Sequence, residues 1–103
     1  MVYTINVRFG FEWDASKARD NWKKHSVRFE DAILAFDDPF ALIAIDEAHS
    51  HSELREILIG RSTHEVLVVV FTIRAEGQHR IISARKATRG ERKRYEESKV
   101  IPI

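Results

Sequence analysis

Arginine and lysine side chains dominate the chemistry this sequence could perform, and they are unevenly placed. Residues 80–99, RIISARKATRGERKRYEESK, hold eight of the seventeen Lys and Arg residues against three carboxylates. The segment therefore carries +5 and the remainder −4, so the formal net charge of +1 conceals a polarised molecule. Such a surface suits an anionic partner, nucleic acid first; the plainer reading is a solvated helix face laced with ion pairs. Arg61, Arg74, Arg80, Arg85, Lys86 and Arg89 fall in or beside three consecutive strand patterns. Arginine suits phosphate because its planar fork bonds two oxygens and never deprotonates.

Candidates for proton transfer are His25, Glu91 and Tyr95, with Lys24 as an alternative cation. Each has a structural reading as well. His25 closes a predicted helix, where imidazolium suits the dipole; Glu91 completes a capping box; a tyrosine on an amphipathic helix commonly packs. His49 and His51 stand near Asp46, Glu47 and Glu53. A His-x-His in a polar loop, with no partner fixed elsewhere, is a weak ligand set, so no metal or cofactor is expected. Trp13 and Trp22 have faces on which bases stack, but both fall on apolar stripes and are expected in the core.

The elements that must position these groups read as follows. Tyr3, Ile5, Val7, Phe9, Phe11 and Trp13 alternate with polar residues, predicting one strand with a buried face and a bulge or bend at Gly10. Asp14 is placed to cap a helix running to about residue 24, with Ala15, Ala18, Trp22 and His25 as its inner stripe. A second helix over about residues 29–36, with Phe29, Ile33 and Phe36 inward, stops at Asp38-Pro39. Strands are expected over residues 40–45, 54–61, 66–73 and 80–85. VLVVVFTI, the third of these, should be central and covered on both faces. Thr88 and Glu91 open a C-terminal helix. The order β-α-α-β-β-β-β-α, with short connections between successive strands, is an α+β pattern with an antiparallel meander.

On the last strand Ile82 and Ala84 form the expected packed side, placing Arg85 on the opposite surface with Ser83. Arg61 ends an apolar stripe made with Ile57 and Ile59, at the rim of a cleft. The competing reading of both arginines is a structural ion pair with an acidic neighbour.

A chain of 103 residues with 44% hydrophobic residues and no low-complexity run predicts one globular domain spanning residues 1–103. Cysteine is absent, which excludes disulfides and thiolate sites. No basic leader followed by an apolar run opens the sequence, and no stretch is apolar enough to span a bilayer. A soluble cytoplasmic protein with no membrane partner is the expectation.

FEWDASKARDNWKKHSVRFEDAILAFDDPF, REILIGRS, VLVVVFTIR and RIISARKATRGERKRYEE, in that order, resemble the BrnT-type toxins over about residues 11–97. Residues 1–9 look like an extension of that family's pattern. Where the family commonly caps its second helix with a small hydroxyl residue this chain has Arg28, and Ser26 could substitute by starting the helix two residues early. The resemblance implies a RelE-like fold with two N-terminal helices and one C-terminal helix. It implies cleavage of mRNA that blocks translation, and neutralisation by a BrnA-like antitoxin with a ribbon-helix-helix part. Operator DNA would be bound only through the toxin–antitoxin complex, in which the toxin is expected as a dimer.

Cleaving RNA without a metal requires a base for the 2′-hydroxyl, cations for the phosphorane and an acid for the leaving 5′-oxygen. The family's IGR and SAR blocks point to Arg61 and Arg85, the same two positions the strand faces favour. The expected catalytic set is thus Arg61, Arg85, His25 and Tyr95, with Lys24, Arg74, Arg80, Lys86 and Arg89 binding RNA. A rival of another class keeps the same basic surface as a docking site for antitoxin or nucleic acid and breaks no bond.

Overall fold

The computed structural model describes residues 5–8 and 10–99. Tyr3 and Phe9 of the alternating pattern, with most of the expected N-terminal extension, lie outside the described residues. The expected first strand is two: β1 (Ile5–Arg8) and β2 (Phe11–Asp14) pair antiparallel, with Arg8 opposite Phe11. Gly10 sits at the reversal with φ +84°, a conformation in which a side chain is strained. Period-two alternation carries no information about chain direction, so a tight turn can hide inside it.

Helix α1 (Ala15–His25) begins where expected, Asp14 accepting from the Ser16 and Lys17 backbone N–H groups at 2.8 and 3.4 Å. Those bonds, led by the ones from Ser16, hold the Asp14 carboxyl below its ordinary value. Its buried face is rotated from the expected stripe. Asn21 is 5% exposed and Ala18 packs against the core, while Trp22 is 46% exposed and His25 is exposed. The burial of Asn21 is repaid by its amide, which donates to the Val27 and Ala84 carbonyls at 3.0 and 2.7 Å and accepts from the Ala84 N–H at 3.0 Å. A buried polar group so satisfied ties α1 to the sheet.

Ser26 does not cap the second helix. It ends α1 in the left-handed region at φ 56°, and α2 (Phe29–Leu34) starts after Arg28 with no side-chain cap. A 3-10 turn, Ala35–Asp37, continues α2 toward Asp38. The remaining strands are β3 (Leu42–Ile45), β4 (Glu56–Arg61), β5 (Val66–Ile73) and β6 (His79–Lys86). Helix α3 (Arg89–Ser98) opens with the expected reciprocal capping box of Thr88 and Glu91.

Among the described residues the fold is α+β: a six-stranded sheet ordered β1-β2-β6-β5-β4-β3, with three α-helices. Strands β3 to β6 form the expected antiparallel meander. The expectation of an antiparallel sheet throughout fails at one seam, because β2 pairs parallel to β6. Helices α1 and α2 lie on one face, where Phe29, Ala32, Leu58, Val69, Ile81 and Ala84 form the main core. On the other face Tyr95 of α3 packs on Val66, Val68 and Ala87, with Ile57 and Ile59 beside them. Strand β5 is interior and covered on both sides, as its unbroken apolar run requires.

A bulge changes which isoleucine of β6 enters the core. Val70 faces Ser83 but Phe71 faces Ile81, so Ile82 is the extra residue and alternation shifts across it. Ile81, rather than Ile82, joins Ala84 on the helix-covered face. Arg85 remains opposite Ala84, on the α3 side, because the bulge lies before both.

Candidate active site

The C-terminal ends of β4 and β6 and the start of β5 meet at one end of the sheet, with α3 lying against them. Between α3 and these strand ends is an open cleft of about 660 Å³ whose walls include Arg61, His64, Lys86, Arg89, Arg92 and Lys93. Glu65 and Glu96 are the carboxylates in its lining. The cleft gathers Arg61 from β4, Lys86 from β6 and Arg89 from α3, three of the residues expected to handle phosphate.

Arg61 is held in place through its backbone. Gly60 lets the segment after α2 approach β4 so closely that a Cβ at that position would stand 2.8 Å from the Ala35 carbonyl oxygen. Asp38, just beyond, accepts from the Arg61 N–H at 2.7 Å through Oδ2 and from the Phe40 N–H at 2.9 Å through Oδ1. The Tyr95 hydroxyl also donates to Asp38 Oδ2. Burial pushes the Asp38 carboxyl up, but the bonds from Tyr95, Arg61 and Phe40 outweigh it and hold the group below its ordinary value. Burial and the bond to Asp38 push the Tyr95 phenol up to about 12. It keeps its proton at neutral pH.

The Arg61 guanidinium lies 6.0 Å from the centre of the Tyr95 ring and 3.0 Å from Glu96 Oε1. Both partners of that ion pair are about half exposed, so water screens it and the guanidinium can exchange one carboxylate oxygen for a phosphate. Arg85 is bound more firmly. Its two terminal nitrogens bond both oxygens of Glu91 at 2.8 and 2.9 Å, and Glu91 Oε1 also accepts from the Thr88 N–H at 2.8 Å. The Arg85 bond first, with the Thr88 bonds, holds Glu91 down at about 2 despite burial, and in return raises Arg85. The capping box, the helix start and the arginine are one unit.

The other expected residues are dispersed. His25 and Lys24 end α1 on the opposite layer from Tyr95, both exposed. Arg74 and Arg80 lie at the far end of the sheet, where Arg74 is 3.7 Å from Glu53 and Arg80 is 2.7 Å from Glu12. His49 bonds Asp46 in the loop after β3; among the described residues no group of three or more His, Cys, Asp or Glu is arranged to hold a metal ion. Two groups stand outside the expected set: His64, in the cleft lining, and Asp38, which bonds the Arg61 backbone and Tyr95. Asp38 was read only as a helix stop. His64 falls in the short connection between the strands expected over residues 54–61 and 66–73, and such a turn stands beside both strand ends.

A family model described as "Ribonuclease toxin, BrnT, of type II toxin-antitoxin system" matches residues 13–91. The chain belongs to that family. The match runs from the core Trp13 to the capping Glu91 and includes both strand arginines, Arg61 and Arg85. It ends before Tyr95. Membership makes this a ribonuclease toxin of a type II system, with an RNA target and an antitoxin partner. No curated protein matches the chain. Among the described residues no helix is long and apolar enough to cross a membrane.

Proposed function

We propose that the chain is a RelE-like, metal-independent endoribonuclease acting on mRNA in the cytoplasm, and that the cleft between α3 and the ends of β4 and β6 is where RNA is cut. The observation that carries this reading is the gathering of Arg61, Lys86, Arg89, Arg92 and Lys93 around one cleft by three different elements. Lys86 and Arg89 hold phosphates flanking the scissile one. Arg61 leaves Glu96 to bind the non-bridging oxygens of the phosphorane as charge builds there. The 2′-oxygen attacks phosphorus, its proton passes to a base, and the 5′-oxygen departs with a proton from an acid, leaving a 2′,3′-cyclic phosphate.

His64 is the proton-transfer group best placed in this reading, because it shares the cleft with Arg61 and Lys86. Tyr95, protonated and bonded to Asp38, serves as a positioning residue for Arg61. Arg85 fixes the start of α3 through Glu91. Arg74 and Arg80 stand outside the RNA path. A BrnA-like antitoxin with a ribbon-helix-helix part covers the same basic face, and the paired toxin reaches operator DNA only through it.

One observation favours the rival binding-module reading: both strand arginines already contact carboxylates, Glu96 and Glu91. Incubating purified protein with RNA in EDTA separates the two. Cleavage in EDTA, lost in folded Arg61→Ala and His64→Ala variants, supports the enzyme. RNA bound but left intact with or without added metal supports the module.

A further inference from the structure

Trp22 was expected in the core and is instead the most unusual exposed side chain of α1. Its ring is 46% exposed, and the Arg28 guanidinium stands 4.5 Å over its centre. Around it lies a shallow depression of about 360 Å³ lined by Ala18, Trp22 and Phe29 with Arg19, Lys23 and Arg28 at the edges, Glu30 being the one carboxylate in its lining. An exposed indole within a ring of cations is the arrangement on which unpaired nucleobases stack while neighbouring phosphates find positive charge. Apolar peptide segments gain little from three cations.

A third hollow overlaps the cleft and comes within one residue in sequence of the depression. This hollow of about 300 Å³ shares His64, Glu65 and Lys86 with the cleft and reaches Ser26, Val27 and Asp31, the residues on either side of Arg28 and Phe29. All three occupy the same end of the sheet, since Asn21 of α1 is bonded to Ala84 near the end of β6. Cleft, hollow and depression thus follow one another around that end, the last two through the consecutive residues Val27 and Arg28.

We infer that this surface is an extended binding track for single-stranded RNA, in which a nucleobase remote from the scissile phosphate stacks on Trp22 and its phosphates are met by Arg19, Lys23 and Arg28. The inference rests on the ribonuclease reading and adds to it a second point of attachment, away from the chemistry. Such remote contact gives affinity and selects unpaired RNA, because a base inside a duplex has no free face to offer.

The test uses a short single-stranded 2′-O-methyl oligonucleotide, which lacks the nucleophile and cannot be cut. Trp22→Ala should weaken its binding about tenfold, while Trp22→Phe should keep most of the affinity. Binding should quench wild-type tryptophan fluorescence and fail to quench it in Trp22→Phe, where buried Trp13 is the only indole left. A folded Trp22→Ala protein that binds the oligonucleotide as tightly as wild type overturns the inference, and one that does so while losing the antitoxin assigns the patch to the antitoxin instead. If wild type neither binds the oligonucleotide nor cuts RNA, the ribonuclease reading falls and this inference with it. RNA cutting by wild type together with unimpaired binding by Trp22→Ala removes this inference alone.

Discussion

Both ends of the sheet carry arginines, yet their electrostatics are opposite. At one end Arg61, Lys86, Arg89, Arg92 and Lys93 surround a cleft of about 660 Å³. At the other a larger groove of about 790 Å³ is lined by Glu12, Glu53, Glu56 and Glu76, with Arg74 the one cation in its lining. Arg74 and Arg80 are matched there by Glu53 and Glu12, so neither adds net positive charge to its surroundings. Cavity size alone would favour the acidic end. What makes an arginine available to phosphate is the balance of carboxylates around it and the exposure of its own ion pair.

Reversing the charge at each end gives the largest contrast. Lys86→Glu with Arg89→Glu should weaken RNA binding by about a hundredfold at low salt, whereas Arg74→Glu should change it little, both read by filter binding. The neutral pair Lys86→Ala and Arg89→Ala should also flatten the salt dependence, by about 1.4 in log–log slope if each side chain meets one phosphate. Asn21→Ala should cost roughly 2–4 kcal/mol in a denaturant titration, because it strands the Ala84 N–H and C=O and loosens α1 from the basic end. Thr88→Ala should cost about 1 kcal/mol and fray the start of α3.

The Arg85–Glu91 unit also gives stability a pH dependence. Glu91 is held at about 2 in the folded protein, below its unfolded value near 4.5. Its contribution is therefore complete above the unfolded value and is lost as pH falls from about 4.5 through 2. Thermal unfolding of wild type over that window should drop more steeply than that of Glu91→Gln, which has nothing to titrate at this position.

Local rules decide the start of α3 and the interior strand, and both are legible in the sequence. Thr-x-x-Glu sets the start of α3, and a nearly continuous apolar run marks the interior strand. Failures came where long-range pairing overrides a local pattern. Asn21 is buried because the backbone of Ala84, sixty-three residues later, satisfies it, and that rotation of α1 expels Trp22. Ile81 replaces Ile82 in the core because of a bulge that only the β5 register reveals. At the site, Arg61 and Arg85 could be named from their strands, but the sequence could not tell that one would be gripped by both oxygens of Glu91 and the other loosely by Glu96. Asp38 and His64 gain their interest from neighbours supplied by other elements.

The central claim is that the basic end of the sheet cuts RNA without a metal. It is tested most directly by measuring cleavage of one RNA in EDTA by wild type, Arg61→Ala and Arg74→Ala, each shown to be folded. Wild type and Arg74→Ala should cut at similar rates, with Arg61→Ala slower by about two orders of magnitude. Equal rates for wild type and Arg61→Ala, or a comparable loss in Arg74→Ala, would contradict it.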